Sequence, residues 1–361
     1  MDVISVCKKT VSAFFAIRNT IKKFFSMIKT VLKSCAVLLL SIGLLAACKD
    51  KPAATTPEHA ESVSARQCSV VFSADSAMAY VEAQCAFGPR VPNSEAHRKC
   101  GDYLVNEFRR RGLTVVEQKD DLTAWDGNVL HNRNIIASYK PELSDRILVC
   151  AHWDCRPWAD ADKDERRHRE PVMGANDGAS GVAVLLELAR QLSQIAPKVG
   201  VDLICFDSED YGRPYWAEGG DGSSDWCRGS QHWAQQPHVE GYMARYGILL
   251  DMVGGEGARF HYEGYSLHYA QPVVGKVWNA AHTAGFGEYF PMRDGGYVTD
   301  DHVPLNEVAQ IPCIDIIPFN NVPGQSFSPY WHTVNDTPGN ISPATLRAVG
   351  QTLVQVLWEE Q

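Results

Sequence analysis

Apolar residues recur at helical spacing over Ser76–Gln84 and again over Ala96–Arg111, and Gly112 stands where the second helix would stop. Five later stretches have a different pattern. Asn134–Tyr139, Arg146–Ala151, Val201–Phe206, Gly247–Leu250 and Cys313–Ile317 are short runs rich in Ile, Leu and Val and read as strands. The middle runs are apolar on both faces, as expected of strands covered from two sides. Between them, Gly181–Ser193 carries Val182, Leu185, Leu186, Leu188, Ala189 and Leu192, a strong helical face. Ser342 and Pro343 supply the N-cap and first position of a last helix that runs to Trp358. Strands alternating with helices predict an α/β fold. Arg213–Arg228, rich in Gly, Ser, Asp and Trp, reads as a long surface loop. No internal repeat is visible.

The amino end follows another logic. Lys29 and Lys33 precede an apolar run from Cys35 to Ala47, too short to span a bilayer comfortably. The run ends Leu45-Ala46-Ala47-Cys48, which looks like a bacterial lipobox with Cys48 as the lipidated first residue of the mature chain. An uncut membrane anchor is the plainer alternative. Met27 is the expected true start. The expected organisation is a signal peptide over 1–47, a flexible tether over 48–70 and one catalytic domain over 71–361. This implies export to the periplasmic face, anchored by lipid to the inner or outer membrane, with a monomer expected.

A net charge of −9 argues against a nucleic-acid partner held by counterion release. Eight cysteines follow the leader: Cys68, Cys85, Cys100, Cys150, Cys155, Cys205, Cys227 and Cys313. An exported protein permits disulfides, but sequence does not pair these residues. Cys150, Cys205 and Cys313 lie in the strand-like runs and read as small buried hydrophobes.

The chemistry lies at the strand ends. His152-Trp153-Asp154, Asn176-Asp177, Glu209-Asp210, Asp251 and Trp331-His332 each place an acid or imidazole at or just beyond an apolar run. Spread over some 180 residues, they can meet only through a fold, as in a catalytic site on an α/β scaffold. Glu209-Asp210 alone would more often be a solvated acidic turn; the company of the others raises its interest. Two carboxylates and one His would suit one zinc with an open position, and His152 with Asp251 could complete a second. Asp160–Arg167 reads most simply as a solvated charge run that could rim the pocket. Trp226 reads as packing, although it lies in the loop near the site.

Taken in order, His152-Trp153-Asp154, Gly174–Gly181, Phe206-Asp207-Ser208-Glu209-Asp210, Leu249-Leu250-Asp251, Asp300-Asp301-His302-Val303-Pro304 and Trp331-His332-Thr333 resemble the zinc aminopeptidase-like (M28) superfamily. Within it the chain is similar to the animal-type glutaminyl cyclases that also occur in bacteria, from about Asp75 to the C-terminus. The resemblance implies a three-layer α/β sandwich with a mixed central sheet, acting on the N-terminal glutamine of peptides and proteins. It implies one zinc held by Asp177, Asp210 and His332, with room for a second ion, and Glu209 as proton shuttle. Asp210 departs from the Glu usual at that position. Asp251 and Asp300 resemble a buried carboxylate pair beside the base. Trp331, Phe327 and Trp216 resemble pocket walls, and His302 a supporting residue. By ligand count rather than by the resemblance, His152 and Asp154 read as second-ion ligands or as supports of the site. The rivals are an M28-type aminopeptidase that activates water with the same Glu and, further off, a non-catalytic binding module.

Overall fold

The computed structural model describes residues 66–219, 223–319 and 326–361. The signal segment, Met27, Cys48 and the tether as far as residue 65 lie outside the described residues. Packing starts earlier than the expected boundary at 71. The Cys68 amide donates to Gln355 Oε1 at 2.8 Å, and the Phe72 amide to Gln351 Oε1 at 2.8 Å. Both glutamines lie on the last helix, so the chain is pinned from its first described residues.

Six strands form one sheet. They are β1 (Thr114–Thr123), β2 (Val129–Tyr139), β3 (Arg146–His152), β4 (Gly200–Phe206), β5 (Gly247–Leu250) and β6 (Cys313–Ile316), in the spatial order β1-β2-β4-β3-β5-β6. β1 and β2 pair antiparallel, as do β2 and β4; β4, β3, β5 and β6 run parallel. The sheet is therefore mixed, as expected. Every residue of β3, β4, β5 and β6 is buried. Alternation splits them between two cores. Ile147, Val149 and Ala151 of β3 face the larger core, built with helices α1 (Ala74–Cys85), α2 (Glu95–Arg110) and α3 (Ala179–Ile195). Leu148 and Cys150 face a smaller core with Trp233 and Leu305. Those two residues belong to α4 (Arg228–Gln235) and α6 (His302–Glu307). With α5 (Gly264–Thr283) and α7 (Pro343–Glu359) on the larger side, the arrangement is three layers.

The local signals explain the helices that the pattern predicted. Ser73, Ser94 and Ser342 accept from the amides of Ser76, His97 and Thr345, caps worth about 1 kcal/mol each. Gly112 sits at φ +81 just past α2. Other elements escaped the pattern. β1 is largely exposed and carries Glu117, Lys119, Asp120 and Asp121, so it has no apolar face to read and is guarded as edge strands are. α5 contains Pro272 and a non-helical Ala270 at φ −139 and ψ 35, which interrupt its period. α4 and α6 have eight and six residues, too few to show a helical repeat. All eight cysteines of the domain are free and buried. Among the described residues, no helix is long and apolar enough to cross a membrane.

Candidate active site

The parallel strands deliver the site. β3 ends in His152, β4 leads into Asp207–Asp210, β5 into Asp251, and α3 begins just after Asp177. In an open α/β sheet this carboxyl edge is where ligands collect. Close packing brings Asp177 in: a Cβ on Gly181 would stand 2.5 Å from Leu250 O and 2.8 Å from Ala151 Cβ, so only glycine lets α3 sit this near the strand ends. Asp336 fixes the preceding turn, its two oxygens accepting from the amides of Asn176 (2.8 Å) and Asp177 (3.0 Å). Asp154 does the same for the acidic pair, accepting from the amides of Glu209 and Asp210, each at 3.1 Å. Ser208, Cys227, Met252 and His332 all have positive φ, between +50 and +56. Such non-glycine strain concentrates at functional sites; here it turns the chain at each corner of the cluster.

Asp177, Asp210 and His332 bring one ligand atom each within 4.8 Å of one another. His332 Nε2 lies 3.3 Å from Asp210 Oδ1 and 3.6 Å from Asp177 Oδ2. His152, Asp177 and Asp251 form a second cluster sharing Asp177. There His152 Nε2 lies 3.0 Å from Asp177 Oδ1 and 3.2 Å from Asp251 Oδ1. Glu209 belongs to neither. Its carboxylate groups with Asp300 and Cys227, and the Cys227 thiol donates to Glu209 Oε1 at 3.4 Å. Asp154 stands 3.5 Å from His152 Nδ1, so it supports both the ring and the acidic turn.

Crowded acids out of water resist ionisation. Burial, with Asp210 and Asp300 adding, pushes Glu209 well above the usual carboxylate range, against the pull of His152. Burial lifts Asp251 to about 6; burial and then Asp251 lift Asp300 to about 7. Burial raises Asp177 too, but His152 and His332 outweigh it and the net shift is down. Burial disfavours the charged His152 ring, yet Asp154, Asp177 and Asp251 raise it well above the ordinary imidazole value.

A cavity of about 640 Å³ opens over these groups, with Asp177, Glu209, Asp210, Asp251, Asp300 and His332 in its lining. Trp331 and Phe327 are in its wall, together with Trp226, Phe319 and Tyr297. Trp331 stacks on His332 at 3.7 Å between centroids, and Phe327 lies 4.8 Å from Trp331. Trp216 does not line the cavity; it stacks on His168 at 6.0 Å under the Arg169 guanidinium, and Trp226 of the same loop takes the wall position. His302 is also absent from the lining. It is fully buried, 3.0 Å from Glu263 Oε2. Glu263 in turn accepts from the amides of Tyr265, Ser266 and Val298, anchoring the loop that carries Asp300. Arg156 is buried beside His332, and Asp160 next to it is only partly exposed rather than solvated.

Fold and site together define an α/β enzyme with an acidic, imidazole-bearing centre at the carboxyl ends of its parallel strands. The chain belongs to Peptidase family M28, which it matches over residues 134–357. Two structures from Bacteroides thetaiotaomicron are each 51% identical, covering 81% of this chain and 99% of theirs. One is described as a glutaminyl cyclase bound to N-acetylhistamine (TM-score 0.79), the other as a leucine aminopeptidase precursor (TM-score 0.78). A glutaminyl cyclase from Tannerella forsythia is 50% identical over 81% of this chain and all of that one, with a TM-score of 0.79. The chain spans about half the length (54%) of the Bacillus subtilis aminopeptidase YwaD, to which it is 27% identical over 75% of its own length.

Proposed function

We propose that the protein is a zinc-dependent glutaminyl-peptide cyclotransferase, which closes an N-terminal glutamine to pyroglutamate and releases ammonia. The observation that carries this reading is the separation of neighbouring carboxylates. Asp210 joins the Asp177–His332 cluster, while Glu209 stands outside it, facing Asp300 in a cavity walled by Trp331 and Phe327. The 51% identity to a glutaminyl cyclase points the same way.

The residues fit a zinc ion. Bond lengths of about 2.0–2.2 Å in a tetrahedral site put ligand atoms roughly 3.3–3.6 Å apart, matching the 3.3 and 3.6 Å around His332 Nε2. Asp210 Oδ2 is buried without a hydrogen-bond partner, a costly arrangement unless something else meets it. Asp177, Asp210 and His332 would hold the ion, and zinc in this position supplies Lewis-acid polarisation of a carbonyl.

The side chains do the rest. With the substrate α-amine neutral, Glu209 takes a proton from its nitrogen as that nitrogen attacks the γ-carbonyl carbon of the same residue. The carbon–nitrogen bond to the amide nitrogen breaks, Glu209 returns the proton to that nitrogen, and ammonia leaves. Burial and the neighbouring acids raise its affinity for protons, the direction expected of a carboxylate that must hold one during turnover. The ring closes within one bound molecule, so holding the conformer supplies much of the acceleration. Asp251 and Asp300 face the same space and orient the amine. The aromatic wall keeps out water, which would yield glutamate instead.

The direct test is incubation of the purified protein with a Gln-initiated peptide, with mass spectrometry following a loss of about 17 Da, that of ammonia eliminated in ring closure. Release of free amino acids without that loss would support the second reading, an M28 aminopeptidase. One observation favours it: the His152–Asp177–Asp251 cluster offers places for a second ion. Its 3.0 and 3.2 Å separations are those of hydrogen bonds, which supports one ion over two.

Asp300→Asn is expected to lower kcat on the order of 10²-fold, the scale at which small misplacement of a reacting group tells. Thermal stability should be unchanged or slightly higher, since the substitution removes a buried acid that resists ionisation. Wild-type turnover in this variant would take Asp300 out of the reaction.

A further inference from the structure

Arg156 is fully buried, with 1% of its side chain exposed, and its guanidinium hydrogen-bonds to Asp160, Asp210 and Gly212 at the edge of the proposed ion site. It grips Asp160 with two bonds, Nε to Oδ1 at 2.6 Å and Nη2 to Oδ2 at 2.5 Å. Its third nitrogen, Nη1, donates to the carbonyls of Asp210 (3.1 Å) and Gly212 (3.3 Å) and stands 3.5 Å from Asp210 Oδ1. Asp160 Oδ1 in turn lies 3.4 Å from His332 Nδ1. The guanidinium also sits 4.5 Å from the Trp226 ring, and Trp226 lies parallel to His332 with centroids 5.8 Å apart. Backbone bonds reinforce the contact. The Ala161 amide donates to His332 O at 3.0 Å, and the Val334 amide to Asp162 Oδ2 at 3.3 Å.

We propose that Arg156 and Asp160 are positioning residues that set the strength of ion binding without touching ion or substrate. The inference rests on the reading of Asp177, Asp210 and His332 as ligands. A carboxylate at Nδ1 selects the tautomer with its proton there and leaves the Nε2 lone pair facing Asp177 and Asp210. The bidentate Arg156 fork keeps that carboxylate from rotating away. The same guanidinium fixes the backbone of Asp210 through its carbonyl. One buried cation thereby orients two of the three ligands, which come from loops more than 100 residues apart in sequence. Arg156 also opposes the ion, because its charge stands beside Asp210. Orientation outweighs that repulsion if loss of the Asp160 carboxylate weakens zinc binding.

Asp160→Asn keeps the shape and removes the charge. Zinc affinity, measured by competition with a chromogenic chelator, is expected to fall about 10- to 100-fold, the usual consequence of losing such a support. Arg156→Lys cannot bridge Asp160 and the Asp210 carbonyl in the same fork, and should lower affinity in the same direction. Melting of the zinc-free proteins controls for folding. Cobalt(II) substituted for zinc should show altered visible bands in both variants, which a purely structural role would leave unchanged. Affinities within threefold of wild type in two folded variants would overturn the proposal. Absence of zinc binding by the wild type would instead overturn the ligand assignment on which it rests.

Discussion

Glu209→Gln should leave a folded, zinc-loaded protein whose turnover is lower by about 10²- to 10⁴-fold, the usual contribution of a positioned general acid–base. The substitution keeps the volume and one acceptor oxygen, so the loop after β4 has no reason to move. Its geometry depends on main-chain amides: those of Glu209 and Asp210 donate to Asp154, and the Cys227 amide donates to Glu209 O at 3.0 Å. None of these bonds needs the Glu209 carboxylate. The zinc site should survive for the same reason, because Glu209 lies outside the Asp177–Asp210–His332 cluster. The decisive comparison is metal content against kcat on one preparation. Loss of zinc together with activity would reverse the roles of the two neighbouring acids. Full activity would remove Glu209 from the chemistry and, with it, the cyclase and the aminopeptidase readings alike.

The residues legible from sequence share a physical signature. His152, Asp210 and Asp251 follow apolar runs that could only be buried strands, and Asp177 precedes a helix apolar enough to lie across them. A polar group at the end of such an element is placed by the element. Residues in loops carry no such signature. Asp160 begins a run of charges that looks solvated, and Asp164 and Arg166 later in it do pair at the surface. Nothing in composition separates this half-buried member from its more exposed neighbours; its four-residue spacing from Arg156, beyond a proline, was the available hint. Trp216 and Trp226 occupy one loop, and only the path of that loop decides which reaches the cavity. Asp336, four residues after His332, holds the Asp177 turn from 160 residues away, a pairing that no local pattern encodes. The same limit hid β1, whose exposed face has no apolar stripe.

Stripping the zinc should abolish turnover and leave a protein whose stability falls as pH rises from about 4 to 7. The sign follows from the acids. In the unfolded chain a carboxyl titrates near 4, whereas burial holds the folded, ion-free Asp251 at about 6 and Asp300 at about 7. Between those limits the folded state binds more protons than the unfolded one, so each step up in pH favours unfolding. A bound dication changes the balance, since it neutralises the charges that the protons had been suppressing. Zinc at 100 times its dissociation constant stabilises the fold by about 2.7 kcal/mol, a rise in melting midpoint on the order of 5 °C. At pH 5 protons compete with the ion for two of its ligands, since burial raises the Asp210 carboxyl and, against burial and the Arg156 charge, Asp210 and Asp160 raise the His332 ring, so the rise should shrink; at pH 7.5 it should be at its largest. Calorimetry of chelated and zinc-loaded protein across that range reads both effects. A zinc-induced rise that did not change with pH would mean that the buried acids are not what the ion relieves, and turnover that persisted in chelated protein would remove the ion from the reaction.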